Sequence, residues 1–315
     1  MPLKTLSHKL DANLQEAALV EVIAYACGMA GQFDGSKHGP DTVHEMCHAT
    51  PALASGLQWT GRIEDDRAFR DLPPHAILTE VGKHADQLAR QTLRTLENRH
   101  FPLLIGGDHA AAAGFWSGVS EGFRSTGQIG MLWIDAHMDS HTPETSPKGY
   151  VHGMPLAGLL GEGHPCLTQI LHPGPKLRPQ SVCVIGVRDF EPEEKMRLDR
   201  LGVRIFYDEE VRQKGLETIM PEALSIVTDE TCGYGVSFDL DSLDPQDSCG
   251  VSTPVEGGLR ATEALVALTQ LVADPRLLGL EISEFNPSND IGNRTLQYIG
   301  RLLNAVVTTR NGRKG

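Results

Sequence analysis

The sequence predicts one three-layer α/β/α domain, a doubly wound and mainly parallel sheet between layers of helices. Three observations predict it. Short apolar, β-branched runs recur along the 315 residues without the polar alternation of a half-exposed strand, as expected where helices cover both sheet faces. Helical periods lie between these runs. The informative polar residues fall directly after the runs, where open α/β sheets bind ligands.

In chain order the runs are Val20 to Ala26, Pro102 to Ile105, Ile129 to Ile134, Ser181 to Val187, Val203 to Tyr207, Gly235 to Leu240 and Leu277 to Ile282. Each is too short for a stable helix and reads as a strand buried on both faces. Between them, Ile77, Val81, Ala85 and Leu88 recur at helical spacing, as do Leu265, Leu268, Leu271 and Val272 after the candidate cap Thr262. Leu296, Ile299, Leu302, Leu303 and Val306 form a last amphipathic stripe. No internal repeat or Ser/Pro-rich linker divides the chain, so residues 1–315 are expected to form a single domain.

With 28 Lys+Arg against 41 Asp+Glu the formal charge is −13, which argues against a nucleic-acid partner. The one basic stretch, Arg310-Asn311-Gly312-Arg313-Lys314, reads as a solvated end. The six cysteines, Cys27, Cys47, Cys166, Cys183, Cys232 and Cys249, show no C-x-x-C spacing and are expected to be small core residues in a reducing compartment. Met1 to Ala12 lacks the apolar region of a secretory signal, and no run approaches the roughly 20 apolar residues of a membrane span. A cytoplasmic setting without membrane contact is the expectation.

Three run ends carry chemistry. Leu103-Leu104-Ile105 leads into Gly106-Gly107-Asp108-His109, Met131-Leu132-Trp133-Ile134 into Asp135-Ala136-His137-Met138-Asp139, and Gly235-Val236-Ser237-Phe238 into Asp239-Leu240-Asp241. Residues at i and i+2 share a strand face, so Asp135 with His137, and Asp239 with Asp241, can face one point. An extended chain would leave Asp139 roughly 13 Å from Asp135, so the backbone must curl after Asp135 if both serve one site. Asp108 reads as an orienting or capping group. Singly, an aspartate after a strand is a turn former or cap. Together, crowded carboxylates raise one another's pKa unless cations neutralise them. Two divalent ions would balance four carboxylates. An oxygen-rich donor set with a minority of imidazoles favours Mn2+ over zinc, leaving nickel, cobalt and iron open. A pair of such ions sharing a water points to hydrolysis.

These segments, together with Ser242-Leu243-Asp244-Pro245 after Asp241, resemble the three signatures of the ureohydrolases: arginase, agmatinase and formimidoylglutamase. The resemblance runs from about Val20 to the last helix and implies an eight-stranded parallel sheet. Carried over position by position, it implies a first Mn2+ on His109, Asp135, Asp139 and Asp239, and a second on His137, Asp135, Asp239 and Asp241, with Asp135 and Asp239 bridging. A hydroxide shared by the ions and hydrogen-bonded to Asp139 would attack a guanidinium carbon and release urea. His152, in Val151-His152-Gly153-Met154-Pro155, resembles the arginase histidine that shuttles protons. Glu284, in Ile282-Ser283-Glu284-Phe285-Asn286-Pro287, resembles the glutamate that holds guanidinium, and Thr253 a threonine beside it. Their plain readings are a loop histidine, a surface ion pair and turn chemistry.

The resemblance is closest to arginase, so L-arginine to L-ornithine and urea is the leading expectation. Agmatine, guanidinobutyrate, guanidinopropionate and formimidoylglutamate are the alternatives. A metal-binding pseudoenzyme and a zinc deacylase on the same fold remain further readings. Three residues depart from the arginase pattern at the amino-acid end of the substrate. His141 replaces an asparagine that reads the α-carboxylate, Lys148 replaces a serine, and Glu191 replaces an aspartate facing the α-amino group. Lys148 can pair with a carboxylate or simply face solvent. The family resemblance also implies a homo-oligomer, trimer or hexamer.

Overall fold

The computed structural model describes residues 19–65 and 72–311. Met1 to Ala12 and Gly312 to Lys314, on which the readings of a missing signal and a solvated tail partly rest, lie outside the described residues. In chain order the elements are β1 (Val20–Ala26), α1 (Gly39–Ala49), α2 (Pro51–Gly56), β2 (Leu57–Glu64), α3 (Pro74–Glu97), β3 (Phe101–Gly106) and α4 (Ala111–Phe123). The chain continues through β4 (Ile129–Ile134), α5 (Pro155–Leu159), α6 (Pro165–Thr168), β5 (Val182–Val187), α7 (Pro192–Leu201), β6 (Arg204–Tyr207), α8 (Asp208–Lys214) and α9 (Leu216–Val227). It closes with β7 (Gly233–Asp239), α10 (Ala261–Ala273), β8 (Leu277–Ser283) and α11 (Arg294–Asn311).

All eight strands pair in parallel in the order β2-β1-β3-β8-β7-β4-β5-β6. The apolar runs become strands because each supplies both faces of the sheet. Leu103 and Ile105 join a core with Ile299, Leu302 and Val306 of α11 and Leu268 and Leu271 of α10. Leu104 between them joins the opposite core, with Leu88 of α3 and Phe115 and Trp116 of α4. This two-sided burial is what removed polar alternation from the sequence.

One strand carried no such signal. β2 is an edge strand whose residues alternate between buried and exposed, with Gln58, Thr60, Arg62 and Glu64 interrupting the apolar pattern. Two local expectations need correction. Thr262 is not the cap of α10: Arg260 holds that position, and Asp247 Oδ2 accepts from Ala261 N at 3.0 Å. Arg310 is not a solvated end. It is 4% exposed, with its guanidinium 4.0 Å from the centroid of the Phe101 ring. Of the cysteines, Cys27, Cys47 and Cys183 are buried as core residues, whereas Cys166, Cys232 and Cys249 are only half-buried.

Candidate metal centre

The four central strands, β3, β8, β7 and β4, carry the site at their carboxyl ends. The three run ends that carry the histidines and aspartates are not consecutive in the sheet: β8 lies between β3 and β7 and contributes Glu284 just beyond its own end. The turn after β3 depends on Gly107. A Cβ there would run into the carbonyl oxygen of Cys27, and the Gly107 carbonyl accepts from Glu284 N at 2.8 Å. This close approach brings the β3 and β8 exits together and places His109 at the head of α4.

His109 is buried with its ring stacked on Trp133 at a centroid distance of 4.5 Å. Its Nε2 lies 2.9 Å from Ser237 Oγ. Its Nδ1 has no conventional hydrogen-bond partner, yet faces oxygens of Asp139, Asp239 and Asp135 at 2.9, 3.1 and 3.2 Å. His137 Nδ1 lies 3.2 Å from Asp241 Oδ2 and 3.5 Å from Asp135 Oδ1. Asp135 thus turns one oxygen to each histidine. Asp239 sits with the His109 group, and its other oxygen accepts from Asp241 N at 2.8 Å.

Asp239 is the last residue of β7, whereas the other three aspartates reach this arrangement beyond the strand ends. Asp135 follows the last residue of β4, and Asp139 has φ +46°, a left-handed turn rare for a non-glycine residue, so the backbone does curl between them. Asp241 lies in a single 3-10 turn after β7, so its proximity to Asp239 comes from that turn rather than from strand alternation. Glu284 also adopts a left-handed conformation, at φ +65°.

Electrostatics favour added positive charge. Burial resists charging His109, but its three aspartate neighbours hold its pKa well above the ordinary imidazole value. Burial likewise opposes a charged His137, and Asp241 with Asp135 overrides it. Burial, then Asp241 and Asp135, push Asp239 far up; burial, then Asp135, raise Asp139. Asp135, despite burial, is held low by the two imidazoles. Fully ionised, the four carboxylates would exceed two imidazolium ions by two charges, and burial, together with that excess, is what drives Asp239 and Asp139 toward their neutral forms while no cation is bound. Oxygen and imidazole donors converging there fit divalent cations. His109, Asp135 and Asp239 form one group able to hold an ion, and Asp135, His137 and Asp241 another.

The cavity above these groups, about 270 Å³, suits a small molecule. Glu284 and His152 line it, His152 Nδ1 lying 3.5 Å from Glu284 Oε1. Burial opposes protonation of His152, but Glu284 raises its pKa. Glu284 Oε1 accepts from His109 N at 2.9 Å, and Thr253 Oγ1 donates to Asp241 Oδ2 at 3.2 Å. Asp108 is a backbone anchor, accepting from Ala30 N and Ala110 N. Lys148 is exposed at the mouth, 5.7 Å from the Tyr150 ring centroid. His141 is buried and engaged by Glu191 and Thr145, so neither ring nitrogen is free for a carboxylate.

Three supporting residues had no role assigned from sequence. Ser237 and Trp133 stand two residues before Asp239 and Asp135, on the same strand faces. Trp133 Nε1 donates to Asp135 Oδ2 at 2.9 Å. Period-two alternation could have found both. Glu281, a carboxylate inside the apolar run of β8, accepts from Ser237 Oγ and Trp116 Nε1 at 2.7 and 2.6 Å.

Fold and site together define a hydrolase on a parallel α/β/α sandwich, built around paired histidine-aspartate groups. Residues 19–308 match the model of the arginase family, and the chain belongs to that family, hydrolases of guanidino C–N bonds. It is 38% identical to the arginase of Bacillus caldovelox over 229 residues, 73% of this chain and 76% of that one. It is 34% identical to human arginase-1 over 254 residues, 77% and 76% of the respective chains. The solved Bacillus caldovelox arginase superposes with a TM-score of 0.83 at 32% identity, covering 94% of this chain and 99% of that one. Formimidoylglutamase from Bacillus subtilis shares the fold at a TM-score of 0.74 and 20% identity, covering 96% of this chain and 93% of its own.

Proposed function

We propose that this protein is a manganese-dependent hydrolase that converts L-arginine to L-ornithine and urea. The observation that carries the reading is the convergence of His109, Asp135, Asp139 and Asp239 within hydrogen-bonding range of one point, beside Glu284 and His152 in one cavity. His109, Asp135, Asp139 and Asp239 would hold one Mn2+; His137, Asp135, Asp239 and Asp241 would hold the other. When bound, a pair of divalent ions lowers the pKa of water and supplies a nucleophile at neutral pH.

The chain's own groups do the rest. Glu284, oriented by the His109 amide, presents its carboxylate to the planar guanidinium, whose paired N–H groups match it. Asp139 accepts a hydrogen bond from the attacking water or hydroxide and so orients it toward the guanidinium carbon. His152, raised in pKa by Glu284, donates a proton to the departing nitrogen, Nε of arginine and Nδ of the ornithine formed, as the C–N bond breaks, because an amide anion is a poor leaving group. Thr253 steadies Asp241 from the substrate side. Lys148 is assigned to the substrate α-carboxylate and Glu191 to its α-ammonium.

The test is urea release by the manganese-loaded protein from L-arginine, agmatine, guanidinobutyrate and guanidinopropionate, with formamide release from formimidoylglutamate. Arginine should lead. No product from any of them would reject catalysis in favour of a metal-binding pseudoenzyme. Metal analysis should find two ions per chain; a single zinc would support a deacylase. We further propose a cytoplasmic homo-oligomer, trimer or hexamer, of single-domain chains, which light scattering would size.

A further inference from the structure

Beside the paired groups, near the cavity mouth, His141, Glu191 and Glu194 bring one nitrogen and two carboxylate oxygens within 4.8 Å of one another. This cluster is internally satisfied. The buried Glu194 accepts from Ser140 N at 3.0 Å and from Glu191 N at 3.1 Å. Glu191 is the N-cap of α7, and its side chain accepts in return from the backbone N–H of Glu194, a reciprocal capping box. His141 Nε2 lies 3.0 Å from Glu191 Oε2; a carboxylate only accepts, so the imidazole donates. The other ring nitrogen is 3.1 Å from Thr145 Oγ1.

Glu191 is therefore held from two sides, by the first turn of α7 and by a buried histidine whose side chain is 7% exposed. Glu191 itself remains 49% exposed and lines the cavity. A free glutamate side chain would have to be ordered by its ligand, whereas this one is ordered beforehand and keeps unused lone pairs. Such a fixed, half-exposed anion suits a compact cation with several N–H donors. We infer that His141 is a positioning residue that presets Glu191 to read a primary ammonium at the far end of a guanidine. The favoured substrates are then guanidines that carry such an ammonium, arginine and agmatine alike, over guanidino acids that lack it. This inference rests on the guanidine-hydrolase reading above and deepens it.

The experiment compares the manganese-loaded wild type, His141→Phe, Glu191→Gln and the double variant on L-arginine, agmatine and guanidinobutyrate, which keeps a carboxylate but has no ammonium. Each single substitution should raise KM for arginine and agmatine roughly tenfold, the loss typical of one charge-assisted hydrogen bond, with little change in kcat. For guanidinobutyrate kcat/KM should hold. In the Glu191→Gln background, His141→Phe should add nothing further, because His141 acts through Glu191. Thermal unfolding checks each variant, and the isosteric Glu191→Gln carries the test if His141→Phe does not fold. Equal losses on all three substrates, full additivity in the double variant, or a wild type that prefers guanidinobutyrate would overturn the inference. Absence of urea from every guanidine with the wild type is a different failure, that of the underlying function, and is visible before any variant is made.

Discussion

Asp139 and Glu284 occupy left-handed backbone conformations that cost of order 1–3 kcal/mol each for non-glycine residues, and both stand at the candidate site. The role proposed for Asp139 has a kinetic test. Asp139→Asn should lower kcat roughly 100-fold while KM for arginine changes little, because the carboxylate handles the attacking water and not the guanidinium; steady-state urea assays decide it. His152 makes a pH-dependent prediction. Its pKa is raised by Glu284, so the protonated, donating form persists above the usual imidazole range and is lost as pH rises through the raised value. The kcat profile should therefore fall on its alkaline side, and His152→Asn should flatten that limb and lower kcat roughly 100-fold; an unchanged profile would remove His152 from proton transfer. At this scale the sequence was most legible where a functional residue followed an apolar run, as with His109 and Asp239. It was least legible at His141, whose partners Glu191 and Glu194 lie some fifty residues away. No local pattern encodes such a contact.

Among the elements, β1 shows how a buried charge ties secondary structures together. Glu21 Oε1 accepts from Thr60 of β2 and Thr95 of α3 at 2.6 Å each, and Oε2 lies 2.7 Å from His100 before β3. Burial pushes this carboxyl up, but the hydroxyls and His100 outweigh it and hold its pKa below the ordinary value. A depressed carboxylate pKa means that its stabilisation is present above the unfolded-state pKa and is lost as pH falls through the folded one. Glu21→Gln should thus be less stable than wild type at neutral pH in urea unfolding, and the gap should narrow as pH drops below the ordinary carboxylate range. A pH-independent gap would mean that shape, not charge, matters there. β2 was invisible beforehand for a separate reason. One face of this edge strand, with Gln58, Thr60, Arg62 and Glu64, is exposed, so it lacks the two-faced apolar run that marked the other seven; the opposite edge, β6, keeps such a run because Ile205 and Phe206 are buried on opposite faces.

For the whole molecule, the proposed metal centre at the sheet's carboxyl edge predicts that stability depends on metal. Cations that bind the folded chain and not the unfolded one stabilise it by mass action, about 4 kcal/mol per site at a thousandfold excess over Kd. Chelation should therefore lower Tm by roughly 10 °C or more, and Mn2+ should restore it. A Tm indifferent to chelator and Mn2+ would contradict a metal centre in these residues. What the sequence determined alone was the layering, because two-sided burial imprints itself on every central strand, and the kinds of donor offered to the site, because they follow those strands directly. The tertiary structure alone decided the rest. Parallel pairing set β3, β8, β7 and β4 side by side although they are far apart in the chain. Left-handed turns swung Asp139 and Glu284 inward. Packing closed His141 onto Glu191. Each of these depends on contacts between distant segments, whose energies no local run of residues carries.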